Sequence, residues 1–96
     1  MYGLIGKITA KAGEREALVA AILSGSGAMP GCRSYVVARD AADPDAIWVT
    51  EVWDDEAAHK ASLQLPAVRE AIARAMPLIA DFGPSFPTVP VGGTGL

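Results

Sequence analysis

A length of 96 residues suffices for one domain and leaves no room for a separate cofactor-binding domain, so any chemistry must use a single core. The formal net charge of −3, with basic residues scattered singly, excludes the clustered cationic footprint that nucleic acid requires. A single cysteine, Cys32, excludes an internal disulfide and a cysteine-based zinc site, and a 51% hydrophobic composition in so small a chain invites further burial against a second copy.

The run from Met1 to Ile8 lacks the basic start and long apolar stretch of a signal peptide, and no later segment is long enough to span a bilayer, so a cytoplasmic location without a membrane partner is expected. Tyr2 to Thr9 mixes β-formers with glycines and reads as a first strand. From Ala12 to about Leu23, the spacing of Leu18, Ala21 and Ile22 predicts a helix that ends at Ser24-Gly25-Ser26-Gly27. After the turn Met29-Pro30-Gly31, Cys32 to Arg39 reads as a second strand, and Asp40 to Asp45 as a polar loop.

Ile47 to Trp53 predicts a third strand whose alternation sets Ile47, Val49, Glu51 and Trp53 on one face and Trp48, Thr50 and Val52 on the other. Both faces are mostly apolar, so each needs cover, helices on one side and something else on the other. Asp54 or Asp55 is placed to cap a short helix carrying His59, and Pro66 to open a second one. That second helix spaces Val68, Ile72, Ala75 and Ile79 along one face, pairs Glu70 with Arg74 outside, and must kink or stop at Pro77. Residues 86–96, rich in proline and glycine, read as a short strand followed by an extended arm. The order predicts a single α+β domain over residues 1–96, a ferredoxin-like antiparallel βαββαβ sheet with its helices on one face. The other sheet face is left for a second copy.

The stretch Pro30-Gly31-Cys32-Arg33-Ser34-Tyr35, the loop Asp43-Pro44-Asp45 and the segment Glu51-Val52-Trp53-Asp54-Asp55-Glu56-Ala57-Ala58-His59 together resemble the antibiotic-biosynthesis monooxygenase family. The tail Val89-Pro90-Val91-Gly92-Gly93 resembles the ending of some members. The resemblance implies a homodimeric α/β barrel, two sheets face to face, with a pocket between sheet and helices in each subunit. It also implies oxidation of a small phenol, quinol or polycyclic aromatic by molecular oxygen without flavin, metal or nicotinamide. The sequence is consistent with that: it has no G-x-G-x-x-G, no phosphate loop and only one histidine. A haem-degrading branch of the same fold relies on an asparagine, and this chain contains none. The alternative reading is a non-catalytic small-ligand-binding or stress-related dimer.

His59 is the natural proton acceptor near neutral pH, set against a helix histidine that merely bonds a carbonyl or faces solvent. Glu51 is expected to have a perturbed carboxyl if its face looks toward the helices; otherwise it pairs with an arginine such as Arg39. Trp53 and Val49 are candidates for the apolar wall of a substrate pocket, and Tyr35 for a hydroxyl donor, although each also suits plain core packing. Cys32 reads as a small hydrophobe rather than a reactive thiol.

Overall fold

A computed structural model of residues 1–96 contains four strands and three α-helices. Strand β1 (Tyr2–Ala10) is followed by helix α1 (Arg15–Ser24), strands β2 (Cys32–Arg39) and β3 (Ala46–Trp53), helices α2 (Glu56–Ser62) and α3 (Pro66–Ala75), and strand β4 (Ile79–Thr88). The strands form one antiparallel sheet in the order β2-β3-β1-β4. This is the expected ferredoxin-like arrangement.

Alternation along β3 decides which face is covered. Ile47, Val49 and Trp53 are 0, 6 and 1% exposed, whereas Thr50 between them is open. Leu18 and Ala21 of α1 and Ala75 of α3 complete one core with Ile47, Val49 and Ala10, so both helices lie on the same side. The opposite face carries the cross-strand row Val36, Thr50, Ile5 and Phe86, with Val36 and Phe86 half-exposed.

Close helix packing follows from small residues. A Cβ on Gly25, at the C-terminus of α1, would stand 2.6 Å from the Cβ of Ala71 and 3.0 Å from the carbonyl oxygen of Ala67, so only glycine lets α1 approach α3 this closely. Gly31 turns the chain into β2 with φ of +80°, a left-handed conformation that side chains disfavour.

Three expectations change in detail. Helix α3 stops at Ala75, and Pro77 lies in a 3₁₀ turn over Met76–Leu78, so Ile79 belongs to β4 instead of the helix. The buried stripe of α3 is Ala71 and Ala75, Ile72 is left largely exposed, and Glu70 and Arg74 form no ion pair. The last strand begins at Ile79, seven residues before Phe86, because β4 is an edge strand. There Pro84 and Pro87 lack an N–H that no neighbour requires, and the pairing slips between Ser85 and Phe82 to admit Gly83 and Pro84 as a bulge. No helix is long and apolar enough to cross a membrane.

Candidate functional site

Sheet pairing sets Tyr35 of β2 opposite Glu51 of β3, and Val37 opposite Val49, all on the helix-covered face. Glu51 is therefore a carboxyl placed among apolar neighbours. Its Oε1 accepts a hydrogen bond from the indole N–H of Trp53 at 3.0 Å, and the Nε2 of His59 lies 3.9 Å from the same oxygen. Burial pushes the Glu51 carboxyl above its ordinary range, against the opposing pull of the Trp53 hydrogen bond and the His59 charge.

His59 reaches this carboxyl because of how α2 starts. The Asp55 side chain accepts the amide of Ala58 at 2.7 Å and fixes the first turn, so the next turn carries His59 back over the end of β3. The imidazole packs against two aromatic side chains, Tyr2 and Trp53, that are paired across β1 and β3. Tyr2 lies 5.7 Å away, and Trp53 meets the ring edge-on at 5.5 Å. Asp54, the other capping candidate, pairs with Arg33 at 2.6 Å.

A cavity of about 460 Å³ opens between the sheet and helices α1 and α3. Glu51, Tyr35 and Val49 line it, together with Ile22 of α1, Ala71 and Ala75 of α3, and Phe82 and Ser85 of β4. The phenol of Tyr35 takes part in no side-chain hydrogen bond, and burial, reinforced by the negative charge of Glu51, pushes its ionisation well above the ordinary value. It is thus a neutral donor at any physiological pH. Lys7 borders the cavity, but its ammonium lies 5.9 Å from the centre of the Trp48 ring, on the opposite face of the sheet.

The cavity thus brings together Glu51, Tyr35 and Val49. His59 and Trp53 stand behind it; Trp53 is 1% exposed and acts as a hydrogen-bond donor to Glu51 rather than as an exposed wall. Arg39 does not pair with Glu51, because its guanidinium forks onto both carboxylate oxygens of Glu16 on α1. Burial raises the Cys32 thiol, whose S–H donates to the Ser34 carbonyl, so it is a weak nucleophile. No three His, Cys, Asp or Glu side chains converge as metal ligands.

Sequence reading missed the contribution of β4 and α3 to the lining. Met76 opens the turn at Pro77 and Phe82 follows it, and the apolar positions Leu78, Ile79, Ala80 and Phe82 after that helix stop are the available signal.

Residues 1–74 match the family model described as antibiotic biosynthesis monooxygenase. No curated protein matches the chain significantly. Among solved structures, the chain is similar to a protein from Chloroflexus aurantiacus J-10-fl that is provisionally called an antibiotic biosynthesis monooxygenase. Identity there is 60%, 96% of this chain and 94% of that one are covered, and the TM-score is 0.94. A Deinococcus radiodurans protein under the same provisional name is 25% identical, with 97% and 95% of the two chains covered and a TM-score of 0.79. A third, from Nitrosomonas europaea, shares the fold at 20% identity, with 98% and 99% covered and a TM-score of 0.78.

Proposed function

Since the chain belongs to the antibiotic biosynthesis monooxygenase family, we propose that it oxidises a small phenol, quinol or fused aromatic alcohol with molecular oxygen, without a bound cofactor. The observation that carries this reading is the cavity itself: a space of about 460 Å³, walled mainly by hydrocarbon, with one carboxyl and one phenol side by side. An aromatic ring fits such walls, and a hydroxyl on it meets Glu51 and Tyr35.

The chemistry follows from proton and electron bookkeeping. Glu51 accepts the substrate hydroxyl proton, and its raised carboxyl is closer to the neutral range in which a general base is most effective. Loss of that proton leaves an electron-rich anion. The anion passes an electron to dioxygen, the two radicals join through a new carbon–oxygen bond, and the O–O bond then breaks with loss of water. A phenol with a free para C–H, or a quinol with a free C–H ortho to the ionised oxygen, plus one dioxygen thus becomes a quinone (a hydroxyquinone from the quinol) plus one water. Tyr35 donates a hydrogen bond to the ring oxygen, and the apolar walls keep bulk water from the reactive anion.

In this reading His59 is a positioning residue. It touches Glu51 and not the cavity, and its charge, together with the Trp53 N–H, holds the carboxyl in place and helps it ionise. Two copies pack their helix-free faces together, which covers the half-exposed Val36 and Phe86. The roominess of the cavity and its carboxyl favour catalysis over passive binding.

Oxygen consumption by the purified protein against hydroquinones and naphthols tests the proposal, with quinone formation followed by absorbance. The expected result is one dioxygen consumed per quinone formed, with one oxygen atom of the dioxygen in the quinone and no hydrogen peroxide released, and with the activity lost in Glu51→Gln. Binding of these compounds with no oxygen uptake would leave a ligand-binding protein instead.

A further inference from the structure

The rim of the cavity breaks the usual pattern of a protein surface. Ile72 of α3, Met76 of the turn that follows it and Phe82 of β4 all line the cavity, yet they are 42, 51 and 60% exposed. Deeper in, Val49, Ala71 and Ala75 are each 6% exposed. Exposure therefore rises from the β3 end of the cavity, where Glu51 lies, to the β4 end. Strands β3 and β4 flank β1, so the two ends are two strand spacings apart, about 10 Å. One ring system spans that distance, and anything attached to it reaches the rim.

An exposed apolar patch continuous with a cavity marks a binding surface rather than stray exposure. This patch lies on the helix side of the sheet: Phe82 pairs with Ile8, which faces Ile47 of the buried core. A second copy laid against Val36 and Phe86 on the other face leaves it uncovered. The rim also suits a flexible occupant, since Met76 has an unbranched, polarisable side chain that moulds to irregular apolar shapes.

We infer that the substrate is an amphiphile, a hydroxylated ring seated at Glu51 and Tyr35 with an aliphatic substituent that leaves between α3 and β4 across Ile72, Met76 and Phe82. The inference rests on the reading of the cavity as an oxidation site.

The test uses 2-alkylhydroquinones from methyl to hexyl, with binding measured by calorimetry under argon so that nothing turns over. Each added methylene buried on the rim should tighten binding by about two- to fourfold. The triple variant Ile72→Ser, Met76→Ser, Phe82→Ser should flatten that dependence while still binding the methyl compound. Phe82→Ser alone, at the most exposed of the three positions, should reduce the slope if the triple variant does not fold. Affinity independent of chain length, falling with it, or rising equally in the rim variants overturns the inference. Oxygen uptake with the same series in air separates the two ideas. A chain-length slope without oxygen uptake ends the oxidation reading and keeps the amphiphile, whereas uptake without a slope does the reverse. No binding by any member removes both.

Discussion

Glu51 is a carboxyl that its own fold makes reluctant to ionise, and this has consequences for activity and for stability. Glu51→Gln keeps a carbonyl oxygen for the Trp53 indole N–H but removes the base, so turnover should fall by at least about a hundredfold. Stability should move the other way. A carboxyl raised above its unfolded value binds more protons in the folded state, so the wild type loses stability as pH rises from the ordinary value of 4.5 through the raised one. The variant lacks that loss. Its thermal midpoint should exceed that of the wild type at neutral pH, with the gap closing below about pH 4. Equal midpoints at neutral pH would show that Glu51 ionises freely in the folded protein.

His59 acts on the same carboxyl from behind. Its positive charge favours the ionised carboxylate and so lowers the pH at which Glu51 loses its proton; His59→Ala should therefore shift the acidic limb of the pH–rate profile to higher pH. The loss of turnover at high pH should be smaller than in Glu51→Gln. A profile that drops uniformly without moving its limb would instead mean that the imidazole itself takes the substrate proton.

At the scale of elements, the cavity depends on how closely α1 and α3 approach. Gly25→Ala places a methyl group against Ala71 and the Ala67 carbonyl, and overpacking of this kind costs about 1–3 kcal/mol. Urea unfolding should show that loss, and Gly25→Val should lose more. Much of this architecture is legible from the chain. The alternation of Ile47, Val49, Glu51 and Trp53 identifies the face that carries the carboxyl, and Asp55 and Pro66 mark two helix starts by local chemistry alone. The bounds of β2 also follow from its β-rich centre.

What is not legible depends on contacts between distant segments. Arg39 lies across from Ile47 in the sheet, near enough in pattern to suggest Glu51, yet its partner Glu16 comes from a helix whose rotation periodicity does not specify. The β4 wall is hidden for another reason. Gly83 and Pro84 look like a turn until an edge position and a bulge make them strand. Trp53 and His59 lie beside Glu51 without lining the cavity, because whether a side chain lines a cavity or backs it is decided by a few ångströms of packing that periodicity does not specify.

At the scale of the whole molecule, the helix-free face remains to be covered. The row Val36, Thr50, Ile5 and Phe86 crosses all four strands and places apolar side chains at both edges of the sheet. Light scattering at micromolar concentration should give twice the chain mass. Val36→Lys with Phe86→Lys should yield the single-chain mass, because like charges then meet across a face that would be desolvated. A double-lysine protein that stays dimeric would locate the interface elsewhere.

The two tryptophans sit on opposite faces of β3, which makes the protein its own optical instrument. Trp53 is sealed beside Glu51 and His59, whereas Trp48 lies on the helix-free face with its indole N–H held by Asp40 at 2.8 Å. In Trp48→Phe, emission comes only from an indole whose hydrogen-bond acceptor is the proposed base, so its intensity should track protonation of Glu51 and occupancy of the cavity. In Trp53→Phe, the remaining indole faces the proposed partner, and its emission wavelength should shift on dilution through the dimer dissociation range while ignoring ligand. Two single-tryptophan proteins would thus report chemistry and assembly on separate channels, without an added label.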